Sequence, residues 1–205
     1  MLYNQKFPLR VIATAFGKRA NNLNSDLQQG HLQSAYFSQD NSPNTRSRYS
    51  LATAMHFGCA YALVDAFGIK VAKAFSSVLE FAYTGHKDHG ILPDRLPTFP
   101  YHHDHGDTIL LIGSGSCHII PTENKIQSDC EDYFPHYGNM RRSLRSDHFI
   151  VLNVSRVFEQ FVHSIGEHPY EVLDSVYRSQ ADFNEQHKEA AEKQSSGLLD
   201  GTIKP

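Results

Sequence analysis

The chain has no tryptophan, three cysteines in 205 residues, and no apolar run near the ~18 residues that a membrane span needs. Cys59, Cys117 and Cys130 are an odd number without paired close spacing, so a disulfide framework is not expected and a reducing cytoplasm is the default compartment. The opening MLYNQKFPLR carries no apolar signal core. Strong charge of one sign is missing too, since the net charge is −3, which argues against a generic polyanion binder. The distribution of charge says more. Residues 1–50 carry six cations (Lys6, Arg10, Lys18, Arg19, Arg46, Arg48) against Asp26 and Asp40, whereas residues 101–205 carry nine cations against sixteen acids. A basic head before an acidic body is the pattern expected when only the head meets phosphate.

Within that head, the stretch LRVIATAFGKRANNLNSDLQQGHL from Leu9 to Leu32 reads as two short helices joined by a tight turn. Leu9, Ile12, Ala13 and Phe16 recur at helical spacing, Gly17 permits a positive φ, and Leu23 and Leu27 resume the apolar period. Helix one is expected over about Leu9–Phe16 and helix two over about Arg19–Gln29, with Gly30 as its stop. Lys18, Arg19, Asn21, Asn22 and Asn24 then lie between the apolar points, and cations and amides are the groups that reach phosphates and base edges. An ordinary helical hairpin in a small core fits the same spacing.

Residues 35–47 are dense in turn formers and return on Arg46 and Arg48, as a wing along a DNA backbone would, or as a solvated loop would. Ser50 is a plausible cap for an almost wholly apolar helix from Leu51 to about Ala66. Gly68 ends it, and Ile69–Phe81 reads as a further amphipathic helix.

The run from Pro8 through Phe81 resembles the N-terminal winged-helix domain of the mercury-resistance-regulator (MerR) superfamily. Leu9, Ile12, Ala13, Gly17, Leu23, Gly30 and Leu32 match its helix-turn-helix positions, Arg48-Tyr49-Ser50 its wing exit, and Phe67-Gly68 the following turn. The resemblance implies a DNA-binding role, with Asn24 and Ser25 standing where the family has an arginine and a tyrosine. The DNA-facing set is then Lys18, Arg19, Asn21, Asn22, Asn24, Arg46, Arg48 and Tyr49, with the cations on phosphates and the amides in the major groove.

Thr84–Asp107 holds three prolines and the histidines His86, His89, His102, His103 and His105, and reads as a linker or an elaborated connection, not a helix. His102 with His105, or His103 with His105, could share an ion with Asp104 or Asp107, but no closed ligand motif is present and exposed loop histidines are the simpler account. Beyond it, Thr108–Ile112 and Cys117–Ile120 read as a hairpin about a Gly-Ser turn. That turn is not followed by a helix, as a phosphate loop should be, and Cys117 and His118 would point to opposite faces of a strand, so catalysis is not expected. Asp129, Glu131 and Asp132, then Arg141, Arg142 and Arg145, form clusters that solvent accommodates. His148–Val154 is a strong strand, Ser155 a cap, and Val157, Phe158, Phe161, Val162 and Ile165 one helical stripe. Pro169 opens a long helix to about Glu192, seamed by Val172, Leu173, Val176, Tyr177 and Ala181, suited to its own domain or to a second copy.

The resulting expectation is an α+β chain: an N-terminal winged helix-turn-helix followed by a small α/β C-terminal domain with a long late helix. The divisions are 1–84 for DNA binding, 85–106 as a His/Pro-rich linker, 107–194 for dimerisation or sensing, and 195–205 as a disordered tail. The function is a cytoplasmic, sequence-specific transcriptional regulator, a homodimer on double-stranded DNA, with RNA polymerase or another regulator as further partners and no membrane association. No enzyme activity, cofactor or metal ligand is assigned. The alternatives are a phage or accessory protein-interaction module, and a metal-responsive regulator using the His-rich junction.

Overall fold

A computed structural model describes residues 5–29, 48–86, 92–113, 117–123 and 149–182. The chain is a mixed α and β protein. Strand β1 (Lys6–Pro8) pairs antiparallel with β2 (Arg48–Ser50), placing Phe7 opposite Tyr49. The pair closes off the segment that contains helices α1 (Leu9–Ala15) and α2 (Ala20–Gln28). Gly17, at φ 64°, turns the chain between them, and the Lys18 amide donates to the Ala13 carbonyl at 2.8 Å. The expected wing, residues 35–47, and the expected stop at Gly30 lie outside the described residues.

Helix α3 (Leu51–Phe67) is the axis of the molecule. Ser50 Oγ accepts from the Thr53 amide at 3.3 Å, and Gly68 ends the helix in the left-handed region, as the sequence predicts. Apolar side chains surround it because it is packed on several sides: Leu51, Ala54, Met55, Phe57, Cys59, Ala60 and Leu63 are buried.

The helix expected over Ile69–Phe81 is instead two, α4 (Val71–Ser77) and α5 (Leu79–Tyr83). Ser76 and Ser77 turn their hydroxyls back onto the Lys73 carbonyl at 2.9 and 2.8 Å, and Val78 leaves helical geometry at φ −107°, ψ 5°. Apolar burial continues across the break through Ala74, Phe75, Val78, Phe81 and Ala82.

The segment expected to be a linker is built into the core. Phe99 and Tyr101 are buried, and so is Arg95. The Arg95 guanidinium donates to the carbonyls of Phe81 (3.3 Å), Leu96 (3.1 Å), Phe99 (3.2 Å) and Thr84, with its cation over the Phe81 ring. Carbonyls that a loop would otherwise bury without partners are satisfied by one side chain.

Strands β3 (Thr108–Ile112), β4 (Cys117–Pro121) and β5 (Ile150–Asn153) form an antiparallel sheet in the order β4-β3-β5. The expected hairpin is present, with Ile112 opposite Cys117. Helix α6 (Val154–Ser164) follows β5 directly. Its cap is Asn153, which accepts from the Arg156 amide at 3.1 Å, whereas the expected cap, Ser155, accepts from the Thr108 amide at 2.8 Å and ties the helix to the sheet. The stripe of α6 lies against both α3 and α1: Phe161 meets Phe7 edge-on at 5.1 Å and stacks with Phe16 at 5.8 Å. Gln160 Nε2 donates to the Ala15 carbonyl at 2.9 Å and satisfies the end of α1. Helix α7 runs from 169 to 182, the last described residue of that region, and buries Val172, Leu173 and Val176 in the same core. The first part of its expected seam, through Tyr177, therefore packs within the chain, whereas Ala181 is exposed and residues 183–192 lie outside the described residues. The buried set runs unbroken from Phe7 to Val176 and crosses the boundaries expected near residues 84 and 107.

Candidate functional site

Two surface constellations carry chemistry. The first is the outer face of α2. Leu23 is buried and Leu27 half-buried on its inner side, so the helical period turns Asn21, Asn24, Ser25 and Gln28 outward, and all four are exposed. Arg19, at the cap position, and Asn22, on the flank, are exposed as well. Gln28 was not singled out by the sequence reading, although its position seven residues after Asn21 places it on the same face.

Behind that face, two polar contacts hold α2 and the turn before it to α3. Tyr61 Oη donates to the Asp26 carboxylate, and burial together with that contact pushes the phenol above its ordinary range. Lys18 Nζ donates to both oxygens of Asp65, at 2.5 and 2.7 Å, and lies 5.0 Å from the centre of the Tyr61 ring. Lys18, expected on phosphate, is thus committed to Asp65, because the Gly17 turn points it back at α3 and not outward. Tyr49 is displaced from the expected interface as well, being only 8 % exposed on β2 opposite Phe7. Of the two acids near the helix, Asp65 is paired with a cation, whereas Asp26 accepts from a neutral phenol. Arg48 is in β2, and Arg46 lies outside the described residues. Arg10, exposed on α1, is a further cation of the head that the site prediction left out.

The second constellation joins the turn at His103–His105 to α7. His102 Nε2 and His103 Nε2 both approach Asp174 Oδ1, at 2.9 and 2.7 Å. The bond from His103, followed by that from His102, holds the Asp174 carboxyl below the usual carboxylate range, against the opposing effect of desolvation. The pairings considered from sequence, with His105, Asp104 or Asp107 as co-ligands, are not the ones formed. Consecutive side chains converge here because His102 has extended backbone (φ −54°, ψ 142°) and His103 begins a tight 3₁₀ turn, which brings the two rings to 4.2 Å. Asp174, 71 residues further on in the chain, left no local signal.

Cys117 Sγ donates to Glu80 Oε2 at 2.9 Å, and burial followed by that bond pushes its thiol up to about 12, far from a thiolate nucleophile. Cys59 is buried in α3, where burial alone raises its thiol. His56, also in α3, places Nε2 2.8 Å from the Phe75 carbonyl. Among the described residues no helix is long and apolar enough to cross a membrane. No protein-family model, curated protein or solved structure matches this chain, so a functional reading rests on these residues alone.

Proposed function

We propose that the chain is a sequence-specific DNA-binding regulator of the winged helix-turn-helix kind, with α2 as its recognition helix. One observation supports this best: the exposed amides of Asn21, Asn24 and Gln28 share one face of a short helix that is fixed from behind by Leu23, Tyr61–Asp26 and Lys18–Asp65. A helix meant to read bases needs a polar face of donors and acceptors and a rigid seat, and an amide pairs bidentately with adenine for about 1–3 kcal/mol of discrimination. Arg19, Arg46 and Arg48 would supply phosphate contacts, with Arg10 added from α1. Val172, Leu173 and Val176 of α7 are used internally, so a homodimer would form through a surface other than these residues, and a two-fold DNA site would report it.

The test is selection of bound duplexes from a random pool by the full-length protein, followed by titration of the selected sequence at two salt concentrations. A consensus is expected, with affinity that falls as salt rises. Asn21→Ala and Asn24→Ala should each weaken the selected site by about 5- to 100-fold, while Arg19→Ala should weaken all sequences evenly and lower the salt slope by about one. Failure to enrich any sequence, with no duplex bound at low salt, would overturn the proposal.

A further inference from the structure

We propose that His102, His103 and Asp174 form a binding site for one divalent first-row transition metal ion, with zinc the natural probe. The three side chains bring their donor atoms within 4.8 Å of one another, the only such set found among the described residues. Two imidazole nitrogens and one carboxylate oxygen are a donor set that suits zinc, nickel or cobalt and leaves further positions for water.

Geometry supports the assignment beyond mere proximity. Both imidazoles converge on one carboxylate oxygen at 2.9 and 2.7 Å. A metal with bonds of about 2.1 Å needs neighbouring donors roughly 3.0 Å apart at right angles and about 3.4 Å apart in a tetrahedron, so the two imidazoles must draw back from the Asp174 oxygen by about half an ångström to admit a tetrahedral ion and by less for a right-angled one. Ligation through Nε2 requires the ring proton on Nδ1, and the exposed Asp104 carboxylate lies on that side of both rings, 3.5 Å from His102 Nδ1 and, beyond hydrogen-bond length, 3.7 Å from His103 Nδ1. A carboxylate behind a ligating imidazole fixes its tautomer and raises its basicity. In the tautomer with Nε2 protonated, His102 Nδ1 accepts instead from the Asp104 amide, a long bond of 3.3 Å that metal binding would exchange for the carboxylate.

The two halves of the site are held in place by contacts that leave the ligating side-chain atoms free. Tyr177 Oη donates to the Pro100 carbonyl at 2.7 Å, locking α7 to the segment that carries the histidines. The turn itself is closed by the His105 amide on the His102 carbonyl (2.9 Å) and the Gly106 amide on the His103 carbonyl (3.0 Å). Tyr170, Asp174 and Tyr177 share a face of α7, and the two tyrosines flank the imidazoles, with ring centres 4.9 Å from His103 and 5.7 Å from His102. Access is open: the Asp174 side chain is 43 % exposed, and His103 also borders a cavity of about 270 Å³. Preorganised donors, a supporting carboxylate and an entry path together are what a protein site for a metal requires.

This inference does not depend on the DNA-binding reading. Its test is calorimetric titration of Zn²⁺ alone into the tag-free full-length protein, with thermal unfolding recorded alongside. One equivalent is expected to bind and to raise the melting temperature. Asp174→Asn, His102→Gln and His103→Gln should each weaken binding by more than about tenfold, since outer partners of a ligand alone account for 10- to 100-fold. The double change His163→Gln/His168→Gln, at two exposed histidines outside the set, should leave it unaltered. Absence of one-to-one binding in the wild type, equal affinity in folded Asp174→Asn, or a loss that follows His163 and His168 would overturn the proposal.

Discussion

His56 shows how a single buried group sets the chemistry of the core. It sits in α3 with 1 % of its surface exposed, its Nε2 2.8 Å from the Phe75 carbonyl and its ring 5.1 Å from that of Phe75. Burial lowers its pKa from 6.5 to about 4, with the Phe75 carbonyl opposing weakly, so the native ring is neutral and donates from Nε2. Because the folded pKa is the depressed one, the unfolded chain binds the proton first as pH falls. Stability from this group is complete above about 6.5, declines between 6.5 and about 4, and is lost below. The shift corresponds to about 3 kcal/mol. Urea unfolding of wild type and His56→Gln at pH 7 and pH 4 should show the wild type losing about that much more than the variant. Equal losses would mean that the ring is protonated in the native state. A histidine amid LATAMHFGCAYALV is legible as a buried group, since its neighbours are apolar on all sides. Its partner carbonyl, 19 residues away, is not.

At the scale of elements, α1, α3 and α6 meet at Gly58. A Cβ added there would strike the Phe16 ring from α1 and come within 2.8 Å of Val157 Cγ1 from α6. The missing side chain is what lets the two helices approach α3 from either side. Gly58→Ala adds helix propensity of at most about 1 kcal/mol but overpacks the contact by about 1–3 kcal/mol, and the Phe16 ring is not free to retreat because it stacks on Phe161. A net destabilisation of about 1 kcal/mol is expected, read as a lower urea midpoint with unchanged slope. A neutral outcome would show that the Phe16 ring rotates away at little cost. Helix limits set by local chemistry, such as Ser50 and Gly68 around α3, were readable from sequence, and so was the hairpin of β3 and β4. The division of α4 from α5 was not, because apolar periodicity runs through it and only the serine hydroxyls on the Lys73 carbonyl break the backbone. Likewise, prolines and histidines in 84–107 looked like a linker, since two of the four carbonyls that Arg95 gathers, those of Phe81 and Thr84, lie 14 and 11 residues before it.

For the molecule as a whole, the question is whether the segment up to residue 84 can stand apart from the rest. Composition divided the chain at residues 84 and 107, and charge does change sign there, but the core does not divide. Phe7 and Phe16 of the head are covered by Phe161, and α3 is covered at Gly58 by Val157. The α1 terminus is capped from α6 by Gln160. The amide face of α2 is held by α3, and α3 in turn by α6, so the proposed reading surface depends on residues beyond 150. Burying side chains such as Val157, Phe158 and Phe161 contributes about 1.5–3 kcal/mol each, a sum comparable to the whole stability of an ordinary domain, about 5–15 kcal/mol. A fragment ending at residue 84 should therefore fail to fold cooperatively, and the full chain should unfold in one transition by both circular dichroism and tyrosine fluorescence. A fragment that melts cooperatively and binds the selected duplex as the full chain does would instead make α6 a partner of an autonomous head. The dependence also bears on the proposed DNA-reading surface. Anything that shifts α6 acts on α1 and α3 directly, and through α3 on the two contacts, Tyr61–Asp26 and Lys18–Asp65, that orient Asn21 and Asn24.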